Sequence, residues 1–239
     1  MTEAELDDFL AACPFLFHMA EAGAWESIRA HGLLSTSALL DLCGVPAPER
    51  AAIEAGRRAA GVTLTGPAGE RIAIRDNGPM SDASLERCLD DGVAPADWYR
   101  LLNARTFFWT NRPRLDRLLA ARTYRARAHD VLTLDARTLV EAYADRIALS
   151  PINSGATSRF PARRGLSTFR TIPGCPWGQW RAKRGRKGAV VELAVLGGIP
   201  DIERFVTRVT REGGGEPACI LVERDAGLSA GAPVIRPTY

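Results

Sequence analysis

Lysine is nearly missing: of 31 basic residues only Lys183 and Lys187 are lysine, and histidine occurs three times. The five cysteines (Cys13, Cys43, Cys88, Cys175, Cys219) are odd in number and none sits in CxxC spacing. Neither a disulfide framework nor a zinc site is indicated, and the simplest reading is a reduced, cytoplasmic protein. No apolar run approaches the roughly 18 residues of a membrane span. One of the longest, Ala189 to Leu196, is broken by Glu192, so no membrane association is expected. The first eight residues, Met-Thr-Glu-Ala-Glu-Leu-Asp-Asp, are acidic, the opposite of a secretory signal. His31 and His129 lack an HExxH or carboxylate-rich setting, so no metal site is expected. Ser154 lacks the glycine-serine elbow of a serine hydrolase, and Gly213-Gly-Gly215 reads as a hairpin turn because no strand ahead of it feeds a phosphate-binding helix.

What remains is an ordinary globular composition: 239 residues, 46% hydrophobic and 25% charged. That is enough chain for one large domain over residues 1–239 with a sizeable core. The net charge of +3 hides an asymmetry. From Arg100 to Gly188, nineteen basic residues face five acids, an excess of +14, and the remainder carries twelve bases against twenty-three acids, or −11. Arginine's fork matches phosphate oxygens in pairs, so this region suits a nucleotide or a nucleic acid. The segment Arg159 to Lys187 suits it most, because Phe160, Phe169, Trp177 and Trp180 interleave with the arginines. The alternative is a solvated face balanced by the acidic remainder.

Periodicity predicts helices at about 3–12, 22–30, 46–60, 81–89, 95–102 and 113–122, and strands at about 15–19, 106–109, 130–134, 147–149, 188–195, 205–209 and 218–222. Gly32 supplies a helix stop, and Ser35, Thr36 or Ser37 a cap for the next helix. Val62–Thr65 and Arg71–Ile74 around Gly66-Pro-Ala-Gly69 make a hairpin signal. Residues 150–186 show no periodicity and are expected to be a functional loop region. The tail after Asp225 is expected to be partly loose. The fold class is α+β.

Three strands place a polar residue in an apolar setting: His18 in Phe-Leu-Phe-His-Met, Glu192 in Val-Val-Glu-Leu-Ala-Val, and Arg112 directly after Thr106-Phe-Phe-Trp-Thr-Asn. A buried carboxylate costs several kcal/mol unless it is paired or hydrogen-bonded. Glu192 therefore either has a task or points to solvent from an edge strand. His18 taken alone reads equally well as a satisfied core histidine.

The order of these segments resembles the ADP-ribosyltransferase superfamily, above all its DNA-modifying DarT-type toxins. Leu16-Phe-His18 through Trp25 and Gly32-Leu-Leu-Ser35 is similar to that family's opening, a strand with a histidine, a helix and a Gly-Leu turn. Phe107-Phe-Trp-Thr-Asn-Arg112-Pro resembles its aromatic strand followed by a catalytic arginine. Val190-Val-Glu192-Leu-Ala-Val-Leu-Gly-Gly-Ile-Pro200 resembles its strand glutamate with a proline further on. The resemblance implies a split pair of small sheets, with NAD as substrate in the cleft between them and no metal. It implies an N-terminal helical region and transfer of ADP-ribose, a glycosyltransferase reaction. The first acceptor is a nucleic-acid base, and the runner-up a protein or a small molecule. A bacterial toxin with an antitoxin protein as partner follows from the same likeness. The rival from another class is a catalytically silent nucleic-acid-binding module of the same fold.

In that picture Glu192 stabilises the oxocarbenium-like charge that develops as the nicotinamide–ribose bond breaks. His18 holds the adenosine-side ribose, and one of Phe107, Phe108 and Trp109 stacks on the nicotinamide. Arg112 meets the pyrophosphate or steers the acceptor, while Gly32 and Ser35 flank the nucleotide, unless Ser35 only caps its helix. The family's tyrosine in the second strand is absent, which keeps stacking but removes a hydroxyl. The helical and hairpin insertion at about 46–98 and the Arg-rich loop at about 150–187 match nothing in the family.

Overall fold

A computed structural model describes residues 1–157 and 161–224. Helix α1 (Glu3–Ala12) opens on a capping box in which Thr2 and Glu5 satisfy each other's backbone N–H groups. Strand β1 (Phe15–Glu21) follows, then α2 (Trp25–His31), β2 (Leu33–Leu34) and α3 (Thr36–Leu42). Gly32 ends α2 at φ +90°, and a Cβ there would lie 2.4 Å from Pro200 Cα, so both its conformation and its surroundings demand glycine. The expected insertion contains α4 (Ala47–Ala55), the hairpin β3 (Val62–Thr65) with β4 (Arg71–Ile74), and α5 (Asp82–Cys88). It runs into α6 (Pro95–Asn103), which leads to β5 (Arg105–Trp109). Helix α7 (Arg112–Leu119), capped by Asn111, precedes β6 (Ala128–Asp135). Then come α8 (Ala136–Tyr143), β7 (Ile147–Ser150), β8 (Arg170–Thr171), α9 (Trp177–Arg184), β9 (Glu192–Leu196), β10 (Gly198–Ile199), β11 (Val206–Gly213) and β12 (Glu216–Glu223).

The class is α+β, with a large antiparallel sheet in the order β12-β11-β6-β1-β5-β9-β7-β8. Its two halves are joined thinly. β1 pairs with β6 along all seven of its residues, and β5 with β9 along all five, but β1 and β5 meet only at Phe17 and Trp109. Past that pair the two strands are no longer in register contact, and the gap opens toward Met19 on one side and Thr106 on the other.

One face of the sheet carries the main core. Leu16, Leu132, Leu134, Phe108, Leu193 and Leu149 pack there against Phe9 of α1, Leu139 of α8 and Trp177 of α9. On the other face Met19 and Val131 pack with Leu115 and Tyr124, and the insertion builds two further cores, one with Leu40 of α3 around Ile53 and Ile72 and one around Leu85, Trp98 and Tyr99.

Two expectations are corrected. The 150–187 region is not all loop: α9 forms there and docks on α1, where Trp177 Nε1 donates to Asp8 (3.1 Å) and Arg181 pairs with the same carboxylate (3.0 Å). Strand β9 begins at Glu192 rather than 188, and it is interior, flanked by β5 and β7, not an edge. The expectations for Arg159, Phe160 and the tail after Asp225 fall outside the described residues. Among the described residues no helix is long and apolar enough to cross a membrane.

Candidate active site

A cavity of about 340 Å³ opens at the place where β1 and β5 part, a size in the range of small-molecule pockets. His18, Gly32, Phe107, Phe108, Trp109 and Glu192 all line it, so four segments remote in sequence converge on one space. Register explains part of this. Phe17, Trp109, Glu192 and Ser150 stand opposite one another on four consecutive strands, β1, β5, β9 and β7, and so form a single row on one face.

Glu192 sits in that row, 5% exposed. One carboxylate oxygen accepts the backbone N–H of Ser154 at 3.0 Å. Burial pushes the carboxyl up to about 7; hydrogen bonding to Ser154 and the guanidiniums of Arg164 and Arg114 act against it. The Ser154 loop is itself held by Arg164, whose guanidinium donates to Ser154 O (3.0 Å) and Ala162 O (3.1 Å) and lies 5.9 Å from the Trp98 ring. Arg164 is 2% exposed and makes no ion pair among the described residues. A buried cation thus braces the loop that grips the buried carboxylate.

His18 occupies the gap between the half-sheets. Its Nδ1 lies 2.9 Å from Phe107 O. A carbonyl only accepts, so Nδ1 carries the proton. Burial lowers the imidazole to about 4, helped by Arg75, so at neutral pH the ring is uncharged and Nε2 keeps its lone pair. The ring therefore offers the cavity an acceptor, the form suited to a ligand hydroxyl.

The aromatic strand divides by alternation. Phe107 and Trp109 share the face of Glu192, whereas Phe108 is 1% exposed in the main core and tilts against His18 at 5.7 Å between centroids. Phe107 is already packed on Phe169 (5.8 Å), which leaves Trp109, directly across from Glu192, as the stacking platform. Ser35 does not line the cavity. It caps α3 by accepting from Ala38 N–H at 3.2 Å.

Arg112 is not brought to the cavity, which corrects the expectation of a cleft-side arginine. On the first turn of α7 its Nε donates to Asp116 (2.6 Å), and the rest of the fork is bidentate on Glu212 of β11. That is a structural ion pair. Cavity-lining arginines come instead from Arg58 and Arg75 of the insertion and from Arg105. No motif marked them. The one sequence signal was Arg75 closing the apolar strand Ile72-Ala-Ile74.

Outside the cavity, Asn111 donates to Lys187 O (3.1 Å) and so ties α7 to the loop ahead of β9. Arg114, Arg117 and Arg184 are close enough to act on one another, and Arg114 also acts on Glu192. Arg117, Lys183, Arg184 and Lys187 have no ion-pair partner among the described residues, so a cationic surface flanks the Glu192 end of the site.

A family model matches residues 14–206, and its description is a family of unknown function, DUF7002. The chain belongs to this family. No curated protein and no solved structure matches it. The DUF7002 match runs from just ahead of β1 to the start of β11, so it takes in His18, the insertion, Ser154, Arg164 and Glu192, and leaves out α1 and β12. Among the described residues of this DUF7002 protein no group of three or more His, Cys, Asp or Glu is arranged to hold a metal ion.

Proposed function

We propose that this protein is an NAD-dependent ADP-ribosyltransferase with a split-sheet architecture of that superfamily, and that its first acceptor is a nucleic-acid base. The observation that carries the reading is the pairing of two groups in one cavity: a carboxylate buried on an interior strand opposite Trp109, and a neutral imidazole in the split beside it. These groups fit NAD as substrate. Trp109 supplies a flat face for the nicotinamide, and Glu192 lies across from it, where a carboxylate stabilises positive charge developing on the ribose. His18 Nε2 accepts from the ribose hydroxyl on the adenosine side. Ser154 and Arg164 keep the carboxylate from turning away. The cationic surface of α7 and the loop ahead of β9 favours a polyanionic acceptor approaching from the Glu192 side.

The test is incubation with labelled NAD and separate DNA, RNA and protein pools, comparing wild type with Glu192→Gln. Label carried to nucleic acid only by wild type is the expected result. Label on protein moves the acceptor to the runner-up class. Salt-sensitive retention of nucleic acid with no NAD consumption overturns the enzyme reading in favour of a silent binding module. Wild-type expression is expected to harm cells that tolerate Glu192→Gln; equal tolerance removes the toxin role.

A further inference from the structure

Arg58, Arg75 and Arg105 line the cavity with no carboxylate within ion-pair reach among the described residues, yet they are not equivalent. Arg58 is used up by the protein: it donates to Ile53 O (2.7 Å), Asn103 Oδ1 (3.0 Å) and Arg75 O (3.3 Å). Arg105 donates to Leu101 O (2.6 Å) and lies over Phe169 at 5.2 Å. Arg75 is different. A single N–H donates to Met19 O (2.8 Å), the guanidinium lies over Tyr124 at 4.8 Å, and the rest of its fork has no acceptor among the described residues. Asp76, the adjacent acid, is turned to the Tyr124 hydroxyl (2.9 Å), Gly78 N–H (3.0 Å) and Arg127 (3.8 Å). Burial pulls the Arg75 guanidinium down from its usual range, though an arginine keeps its proton. A half-buried guanidinium with no ion-pair partner among the described residues, acted on by Asp76 and Glu21 only from a distance, retains a strong attraction for an anion in the cavity.

We propose that Arg75 is the anion-binding residue of this cavity, that it takes the diphosphate of a dinucleotide or nucleoside-diphosphate ligand, and that Arg58 fixes it by donating to its carbonyl. The fork geometry suits two phosphate oxygens at once. Arg75 and His18 lie close enough to act on each other, so ribose and diphosphate contacts fall side by side. The insertion thereby supplies the contact that the sequence led one to expect of Arg112. The identity of the anion rests on the NAD reading; the existence of the anion site does not.

The experiment is calorimetric titration of the full chain with ADP-ribose, inorganic pyrophosphate and adenosine. It is combined with phenylglyoxal labelling of arginines read by mass spectrometry on wild type. Expected are protection of Arg75 by ADP-ribose and by pyrophosphate, with Arg112 labelled equally in both cases. Arg75→Gln is expected to lose about tenfold or more in ADP-ribose affinity while adenosine changes less than about twofold, and Arg75→Lys to recover part of the loss. Three outcomes overturn the proposal: Arg75 labelled at an unchanged rate in the bound protein, equal losses for ADP-ribose and adenosine, or no binding of either anion by wild type. The labelling arm needs no variant, so a misfolded Arg75→Gln leaves the proposal open to refutation. Protection by pyrophosphate without NAD consumption removes the NAD reading and supports the anion site. NAD consumption with Arg75 unprotected does the reverse.

Discussion

Strands β1 and β9 lie two apart in the sheet, and each carries one titratable side chain that lines the same cavity, His18 half-buried and Glu192 buried, but desolvation acts on the two with opposite sign. His18 is held down to about 4 from an ordinary value of 6.5, so the folded protein keeps it neutral. Unfolding then takes up a proton, and stability present above 6.5 is lost as pH falls toward 4. Glu192 is raised to about 7 from 4.5, so its contribution is intact below 4.5 and is lost as pH rises through 7. Each shift corresponds to on the order of 3 kcal/mol. Between 4.5 and 6.5 the two slopes oppose each other, and the protein is expected to be most stable there. What the contrast teaches is that the same desolvation produces a neutral acceptor on one half-sheet and, on the other, a carboxyl poised at working pH. A binding group and a reacting group need those different states.

Substitutions at Glu192, His18, Arg164 and Arg112 act on that contrast with decreasing effect. Glu192→Gln is expected to lower transfer about 10²–10³-fold. It is also expected to raise stability at pH 8 by up to about 3 kcal/mol, because a neutral amide removes the cost of a buried charge. Transfer assays and denaturant titration at two pH values check both; a loss of stability at pH 8 would place Glu192 in a structural role. His18→Asn keeps a donor for Phe107 O but removes Nε2. NAD affinity is expected to fall about tenfold, and the acid-side decline in stability between 6.5 and 4 to flatten, as read by calorimetry and acid titration.

Arg164→Met sharpens the comparison from the Glu192 side. With a facing cation gone, the carboxyl is expected to titrate about one unit higher than in wild type, while Arg114, the other cation acting on it, stays in place. The acid limb of the rate profile moves up with it. Carboxyl NMR reads the same shift without turnover, and Arg164→Lys is expected to restore most of it. Arg112→Gln has the smallest effect. Because Arg112 is 39% exposed and pairs with Glu212 and Asp116, it is expected to cost under about 1 kcal/mol of stability and to leave transfer within about twofold of wild type. A large loss of transfer in a folded Arg112→Gln protein would restore the cleft-side role.

Much of the local structure was legible. The Ser35 cap, the glycine stop at Gly32 and the β3–β4 hairpin each follow from short-range chemistry confined to a few neighbouring residues. Helix α9 was not legible. Its own sequence, Trp-Gly-Gln-Trp-Arg-Ala-Lys-Arg, has no clean apolar stripe, and its anchor is Asp8, about 170 positions away. For the site, His18, Trp109 and Glu192 stood out as polar or aromatic residues in apolar strands. Ser154, Arg164 and Arg75 did not, because their roles rest on backbone groups and on charges left without partners, and no spacing encodes either.

The sequence by itself determined the longer strands in outline, the β3–β4 hairpin, the Ser35 cap and the Gly32 stop, and that a carboxylate and an imidazole would be carried on apolar strands, since these depend on side-chain chemistry within a few residues. Only the tertiary structure decided which polar groups share a space. Pairing across β1, β5, β9 and β7 set Glu192 beside Trp109, and the failure of pairing beyond Phe17 opened the gap that His18 fills. The folding of the insertion left Arg75 in the cavity, while Arg112 was claimed by Glu212. Burial and pairing are properties of neighbours that the chain acquires only on folding, and they decide how His18 and Glu192 titrate.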